Sequence, residues 1–184
     1  MNIGLKYGNK ISNWLIRKGG LMMKSVVIYY SLTGNTKLVA KMIAERLGAD
    51  IIDLKPEKEI PNKGIGKYFL GGMSVLLQKK PKLLNDEIKL EEYDTLVIGT
   101  PIWAGSPAPP LNTFLSDTKI KDKNIFLFAT CSPGTDTGKC FGKIKEKLSR
   151  NRIRDTAGFE DLKKMSAKEL DDKVRKFSKI IMES

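Results

Sequence analysis

After residue 23 the sequence alternates between two kinds of segment, and this alternation restricts the folds available to the chain. Short runs that are rich in β-branched and aromatic residues and almost continuously apolar occur at 25–30, 50–54, 95–100 and 124–130. Strands that are covered on both faces have this composition. A fifth strand, of mixed composition, is predicted near 153–158.

The segments that separate these runs carry apolar residues three and four positions apart, as amphipathic helices do. They predict helices at 35–47, 67–77, 110–116, 140–148 and 167–182. Strands that alternate with helices form a parallel sheet, because parallel neighbours require a crossover connection. The sequence therefore predicts an α/β domain of three layers, in which helices cover both faces of a five-stranded parallel sheet.

Length and composition agree with a single domain at 23–184. The chain has 184 residues, 41% of them hydrophobic and 29% charged, and no apolar run approaches the ~20 residues that span a bilayer. We therefore expect no membrane span.

Cys131 and Cys140 cannot form a disulfide framework, and their number is typical of a reducing cytoplasm. Because the chain has no histidine, we expect neither a metal site nor Ser-His-Asp catalysis.

Residues 1–22 contain basic side chains and no acidic one. Their longest apolar stretch is too short for the core of a signal peptide, so export is not expected. Two interpretations are open: an amphipathic segment that lies on a surface, or an extension outside the fold. We favour the extension, because Met22 and Met23 directly precede the first predicted strand.

The net charge of the chain is +12, from 33 Lys and Arg against 21 Asp and Glu. Such a charge suits nucleic acid or acidic protein partners. The lysines are scattered along the chain, without a basic arm and without the alternation of basic and aromatic residues found in RNA-binding sheets. We therefore expect no nucleic-acid binding, and acidic proteins remain as candidate partners.

Residues 31–36 (SLTGNT) join the first predicted strand to the first predicted helix and contain three hydroxyl side chains but no basic one. A helix N-terminus offers unpaired N–H groups and a partial positive charge, which together bind anions. The glycine lets the backbone approach a ligand, and the hydroxyls can donate to phosphate oxygens. We interpret the loop as a phosphate site; the alternative is an ordinary helix cap. Its candidate ligands are Ser31, Thr33, Gly34, Asn35 and Thr36.

Two further loops are expected beside this one, because ligands of such sheets bind at the carboxyl ends of the strands. In 99–110 (GTPIWAGSPAPP), Trp103 stands in a turn beyond a buried strand, where it can stack on a flat ring; the alternative is packing at the domain edge. Residues 130–140 (TCSPGTDTGKC) are small, polar and rich in glycine, so their backbone can hydrogen-bond to a heterocycle. The candidates in these loops are Thr100, Pro101, Ile102, Trp103, Ala104, Gly105, Thr130, Cys131, Ser132 and Gly134.

The three loops together fit a ligand that joins one phosphate to a flat ring system, such as flavin mononucleotide (FMN). At these loops the chain resembles the flavodoxin family, whose phosphate loop has the form Thr/Ser-x-Thr-Gly-x-Thr. The matching residues are Ser31, Thr33, Gly34 and Thr36. The segments at 67–72 (KYFLGG) and 99–110 place the chain nearest to one branch of that family.

The resemblance extends from about residue 24 to the C-terminus. It implies a flavodoxin-like sheet with the strand order 2-1-3-4-5, bound FMN, and electron transfer at low potential between protein partners. It also implies that Trp103 lies against the flavin and that the peptide between Ala104 and Gly105 approaches it. A peptide that precedes glycine can rotate at little steric cost.

Two features depart from the family pattern. Flavodoxins commonly have a second aromatic residue in the loop after the fourth strand, whereas this loop has none before Phe141. Electron-carrying flavodoxins are usually acidic, whereas this chain is basic.

The electron carrier is the leading hypothesis, and its closest alternative is an NAD(P)H-dependent quinone or flavin oxidoreductase of the same fold. A receiver-type signalling domain would need an acidic cluster where Tyr30 and Ser31 stand, so it is disfavoured.

Overall fold

The structure of the protein, a computed structural model, describes residues 24–58, 80–85 and 88–184. Its strands are β1 (Ser25–Tyr29), β2 (Asp50–Asp53), β3 (Thr95–Trp103), β4 (Ser106–Pro107), β5 (Asn124–Cys131) and β6 (Arg152–Glu160). Its helices are α1 (Asn35–Leu47), α2 (Pro109–Asp117), α3 (Thr137–Lys147) and α4 (Ala167–Glu183). The predicted extension at 1–22, the predicted helix at 67–77 and the KYFLGG segment lie outside the described residues.

Five strands form one parallel sheet in the order β2-β1-β3-β5-β6. Taken along the chain, these are the five predicted strands, so the predicted order 2-1-3-4-5 is confirmed. The helices pack on both faces of the sheet. The predicted three-layer α/β fold is therefore confirmed as well.

The sheet has a sixth strand that was not predicted. β4 has two residues and pairs antiparallel with the end of β3. The prediction ended the third strand at residue 100, whereas β3 continues to Trp103. The two strands are joined by Ala104 and Gly105, whose φ angles are +46° and +69°. A two-residue type I′ hairpin requires positive φ at both of these positions. Alanine adopts such a φ rarely, so local propensity argues against this hairpin.

Alternate residues of the central strands face the two helical layers. In β1, Val27 and Tyr29 pack in the layer of α1 and α4, whereas Val26 and Ile28 pack in the layer of α2 and α3. All four side chains are buried. Both faces of β1 are therefore apolar, which explains why its sequence is continuously apolar and does not alternate with polar residues.

The middle of the sheet requires glycine at position 99. Gly99 lies opposite Phe128 in the register of β3 and β5, and a Cβ atom at Gly99 would lie 2.1 Å from Cζ of Phe128. The Phe128 ring is fully buried and packs edge-to-face against Phe159, with the ring centroids 6.2 Å apart. The ring therefore occupies the space over Gly99, where a side chain on β3 would otherwise lie.

Local hydrogen bonds determine where two of the helices begin. Asp136 is the N-cap of α3, and its carboxylate accepts a hydrogen bond from the Lys139 N–H at 3.2 Å. This cap starts α3 at residue 137, three residues before its predicted start. Ser166 and Glu169 form a capping box at the start of α4, which begins at 167 as predicted. In the described part of the chain, no helix is both long and apolar enough to cross a membrane.

Candidate functional site

A cavity of about 340 Å³ opens at the carboxyl ends of β1, β3, β5 and β6. The predicted site residues that line it are Thr33, Asn35, Thr36, Pro101, Ile102, Trp103, Thr130, Cys131 and Ser132. They come together because β1, β3 and β5 are neighbours in the sheet, so the loops that follow these strands meet at one edge.

The α1 end of the cavity is polar. Gly34 is the N-cap residue of α1 with a φ of +91°, and no described side chain caps the helix. The Ser31 hydroxyl accepts a hydrogen bond from the Gly34 N–H at 3.2 Å. Thr33 is exposed, and Asn35 is partly buried at the cavity wall. Because the helix lacks the side-chain cap that was the alternative interpretation, its first N–H groups remain available to water or a ligand.

Thr36 and Thr130 join the start of α1 to the end of β5. Their Oγ1 atoms lie 2.8 Å apart, and the two residues are only 1% and 4% exposed. In such a pair one hydroxyl donates to the other, so the proton of the accepting hydroxyl is available for a further hydrogen bond. The buried pair therefore fixes the position of α1 relative to β5 and can also contribute a donor at the cavity wall.

Trp103 forms an apolar wall of the cavity together with Pro101 and Ile102. It is the last residue of β3, is 7% exposed, and packs edge-to-face on Tyr30 with ring centroids 6.0 Å apart. The expectation that Trp103 lies beyond the sheet is wrong, because pairing with β4 extends β3 to include it. Its ring is anchored in the core and still lines the cavity.

Six predicted residues do not line the cavity: Ser31, Gly34, Thr100, Ala104, Gly105 and Gly134. Thr100 is fully buried, and its hydroxyl accepts from the Ala108 N–H and donates to the Pro101 carbonyl, both at 3.0 Å. That hydroxyl therefore serves the turn into α2, because the first N–H groups of a helix need partners. The Gly134 N–H donates to the Glu160 carboxylate. Ala104 and Gly105 form the hairpin turn next to Trp103.

A fourth loop, at 161–163, lines the cavity and was not predicted to do so. It follows β6, and Asp161 has a φ of +45°, which is unusual for a residue other than glycine. The Asp161 N–H donates to the Cys131 carbonyl at 3.0 Å, which holds this loop against the loop after β5. Lys163 adds an exposed ammonium group to the wall. The other lining residues that were not predicted are Leu32, Pro133 and Leu162.

The signal for this fourth loop was present in the sequence. The rule that ligands bind at the carboxyl ends of strands applies to the last strand as well as to the first, third and fourth. The polar and basic segment DLKKM is separated by two residues from the strand predicted near 153–158. The predicted site nevertheless includes only the loops that follow the first, third and fourth strands.

Both cysteines are free thiols. Burial raises the pKa of Cys140 to about 12. Burial and the neighbouring Glu160 carboxylate raise the pKa of Cys131, which lines the cavity. Both side chains are therefore protonated at neutral pH, and neither has the character of a nucleophile. Among the residues that the structure describes, no cluster of Cys, Asp or Glu is arranged to hold a metal ion.

The fold and the loops at its carboxyl edge define a flavodoxin-like α/β protein. A family model described as flavodoxin matches residues 24–177. The chain therefore belongs to the flavodoxin family, as its loops predicted.

Several solved structures share the fold. A Bacteroides uniformis protein assigned as a flavoprotein is similar with a TM-score of 0.70 and 22% identity, covering 83% of this chain and 98% of its own. A Lactobacillus acidophilus flavoprotein in complex with FMN has a TM-score of 0.66 and 23% identity, over 85% of this chain and 99% of its own. Flavodoxin 2 from Bacillus cereus has a TM-score of 0.57 and 15% identity, over 87% of this chain and 98% of its own.

Proposed function

We propose that the protein binds FMN in this cavity and carries electrons at low potential between protein partners. The observation that carries the proposal is one cavity that combines the uncapped N-terminus of α1 with the aromatic wall at Trp103. Membership of the flavodoxin family and the FMN complex of the Lactobacillus acidophilus flavoprotein support this choice of ligand. When bound, FMN supplies a centre that accepts and releases electrons.

The α1 end of the cavity suits the phosphate group. Thr33, Asn35 and Thr36 line it with groups that can donate hydrogen bonds, and the N-terminus of α1 adds unpaired N–H groups and a partial positive charge. Lys163 contributes a cation to the same cavity. These groups can hold a dianion without a Walker A loop.

The opposite wall suits a flat ring system. Pro101, Ile102 and Trp103 present apolar surface there, and the packing of Trp103 on Tyr30 keeps the wall in place. Residues 130–132 line the same cavity, and polar groups of this segment can hydrogen-bond to a ligand there. A ring with polar atoms along one edge can therefore be both stacked and oriented.

One observation favours a second function. Trp103 is the only aromatic residue among the described residues that line the cavity, so the opposite face of a bound ring would meet no aromatic side chain. An uncovered face would admit a small substrate. An NAD(P)H-dependent quinone or flavin oxidoreductase of the same fold requires such access.

The visible absorption spectrum of the purified protein tests the ligand. We expect a yellow protein that releases FMN on denaturation and whose ligand-free form quenches FMN fluorescence on binding. Anaerobic addition of NADPH then separates the two functions: bleaching without a further protein indicates the oxidoreductase, and bleaching only after addition of a flavodoxin reductase indicates the carrier. A protein that binds no FMN would contradict both.

We place the protein in the cytoplasm. Cys131 and Cys140 are free, and neither lies in a disulfide framework of the kind that extracellular proteins of modest size use. Free thiols of this kind support a reducing compartment, which is also where soluble electron carriers find their partners.

A further inference from the structure

Three lysines of α3 form a row beside the site. Lys139, Lys143 and Lys147 are four residues apart, so they lie on one side of the helix. The Lys143 ammonium donates to the Ser106 hydroxyl of β4, and the Lys147 ammonium donates to the Ser116 hydroxyl of α2 at 3.0 Å. At 1.5 Å per residue this lysine row extends about 12 Å along the helix.

One end of the lysine row lies at the hairpin turn beside the cavity. Cδ of Lys139 lies 3.1 Å from the position that a Cβ atom on Gly105 would occupy. The neighbouring Ala104 is exposed, and the preceding Trp103 lines the cavity. The row therefore leads from the mouth of the site outward across β4 and α2.

The positive charge of the row is not neutralised. Within the described residues, none of the three lysines forms an ion pair with a carboxylate, and the partners of Lys143 and Lys147 are hydroxyl and carbonyl groups. Partial burial and the nearby Lys80 ammonium lower the pKa of Lys147, despite the presence of Asp117. On the opposite face of the sheet, basic side chains of α1 and α4 do form ion pairs with carboxylates. These are Arg46 with Asp171, Arg175 with Asp172, and Lys179 with Glu183.

We propose that the lysine row is the docking surface for an acidic redox protein, which binds with its own redox centre facing the turn at Ala104 and Gly105. This inference rests on the proposed function. Charge complementarity selects an acidic partner and fixes its orientation. Because electron transfer slows steeply with distance, a partner held at the mouth of the cavity is well placed for exchange.

An acidic protein fits this surface better than a nucleic acid does. The lysine row is short, and the described residues of α3 that share its side present no aromatic ring on which a base could stack. The aromatic residue of α3, Phe141, is buried in the core. A carboxylate cluster of similar length on a protein surface matches the row.

The experiment uses the full-length chain loaded with FMN. The test variant is Lys139→Gln/Lys143→Gln/Lys147→Gln. The control variant is Lys41→Gln/Lys168→Gln/Lys176→Gln, which removes the same charge from exposed positions on α1 and α4. A plant-type ferredoxin, which is strongly acidic, serves as the probe. Stopped-flow absorbance measures the second-order rate constant for reduction of each variant by reduced ferredoxin, at low and at high salt.

At low salt we expect the test variant to react about tenfold more slowly than the parent, within the range over which electrostatic steering changes association rates. For the control variant, the logarithm of the rate constant should fall by less than about a third as much as it does for the test variant. The difference between the two variants should disappear at high salt. The extent of reduction by excess dithionite, which needs no docking, should be the same for all three proteins.

Equal losses in the two variants would overturn the docking surface, because only net charge would then matter. Failure of the parent to bind FMN would instead contradict the proposed function. Normal FMN binding and dithionite reduction, together with an unchanged ferredoxin rate in the test variant, would remove the docking surface alone. Loss of binding to a single-stranded oligonucleotide, without loss of ferredoxin rate, would make nucleic acid the occupant and the proposal wrong.

Discussion

Thr33, in the loop before α1, and Thr36, in the first turn of α1, have the same side chain in different surroundings. Thr33 is exposed at the cavity, whereas Thr36 is buried and bonded to Thr130. A valine at either position keeps the shape of the side chain and removes the hydroxyl. The exposed hydroxyl can therefore be tested for its part in ligand binding, and the buried one for its part in stability.

We expect Thr33→Val to weaken FMN binding by about 1.5–3 kcal/mol, the contribution of one hydrogen bond to a charged group. Riboflavin, which lacks the phosphate, should bind as it does to the parent. Fluorescence titration with both flavins measures the difference. Equal weakening for the two flavins would show that Thr33 does not contact the phosphate.

We expect Thr36→Val to lower the free energy of unfolding of the FMN-free protein by about 1–3 kcal/mol, because the buried Thr130 hydroxyl loses its partner. Urea denaturation followed by circular dichroism measures this cost. The double variant Thr36→Val/Thr130→Val should regain part of the stability, since it leaves neither hydroxyl buried alone. A double variant less stable than the sum of the two single variants would contradict this account.

At the scale of secondary-structure elements, positions where two elements approach closely are the most sensitive to substitution. Gly99 of β3 lies beneath the Phe128 ring of β5, which is buried and cannot move into solvent. The start of α4 depends instead on exposed hydrogen bonds between Ser166 and Glu169. The contact between Gly99 and Phe128 is a packing constraint, whereas the hydrogen bonds between Ser166 and Glu169 depend on pH.

Gly99→Ala should destabilise the protein by about 3 kcal/mol, at the upper end of the range for overpacked cores. The added Cβ atom would lie 2.1 Å from the Phe128 ring, so β3 or the ring must shift. Adding Phe128→Leu to Gly99→Ala should restore part of the loss, as a double-mutant cycle of urea denaturation curves would show. Strictly additive effects would mean that the two residues do not interact.

The capping box of α4 should contribute to stability in a pH-dependent way. Hydrogen bonds from the Ser166 hydroxyl and N–H lower the pKa of Glu169 from its ordinary value of 4.5. Because the folded-state pKa is the lower one, this stabilisation is present above the unfolded pKa and is lost as the pH falls through the folded pKa. Glu169→Gln should therefore lower the urea midpoint at pH 7, and the difference should shrink towards pH 3.

The matched background for this test is Ser166→Ala. There the Glu169→Gln difference should depend less on pH, because the hydroxyl that stabilises the carboxylate is absent. A Glu169→Gln difference that stayed the same from pH 7 to pH 3 would show that the charge of Glu169 does not matter to the cap.

For the molecule as a whole, the proposed ligand should couple to folding, because the cavity is formed by loops from four strands that meet only in the folded sheet. At an FMN concentration 100 times its Kd, the folded state should gain about 2.7 kcal/mol. For a domain of this size each kcal/mol raises Tm by about 2–4 °C, so the expected rise is about 5–11 °C. Thermal unfolding followed by circular dichroism measures the rise in Tm, with riboflavin at the same concentration as the control. An equal rise with riboflavin would show that the phosphate does not contribute to binding.

The sequence by itself determined the α/β class, and its resemblance to flavodoxins implied the strand order and therefore that three loops lie close together. Runs such as 25–30 are apolar on both faces because helices cover both faces of the strand. The period of the segment at 35–47 is strong enough that α1 has the predicted bounds. Parallel strands place their following loops at one edge. The strand order implied by the family resemblance makes the first, third and fourth predicted strands neighbours, so the cavity lined by Thr33, Trp103 and Thr130 could be expected.

Only the tertiary structure decided the details that local propensity does not indicate. The hairpin that includes β4 needs Ala104 at positive φ, a conformation that local propensity disfavours and that pairing with β3 imposes. Trp103 is buried because it packs on Tyr30, which no local pattern reveals. The loop at 161–163 reaches the cavity because its backbone bonds to Cys131 and because α4, which follows it, packs against α1. The contacts of Trp103 with Tyr30, of Asp161 with Cys131 and of α4 with α1 join segments more than 25 residues apart, so no single segment of the sequence reveals them.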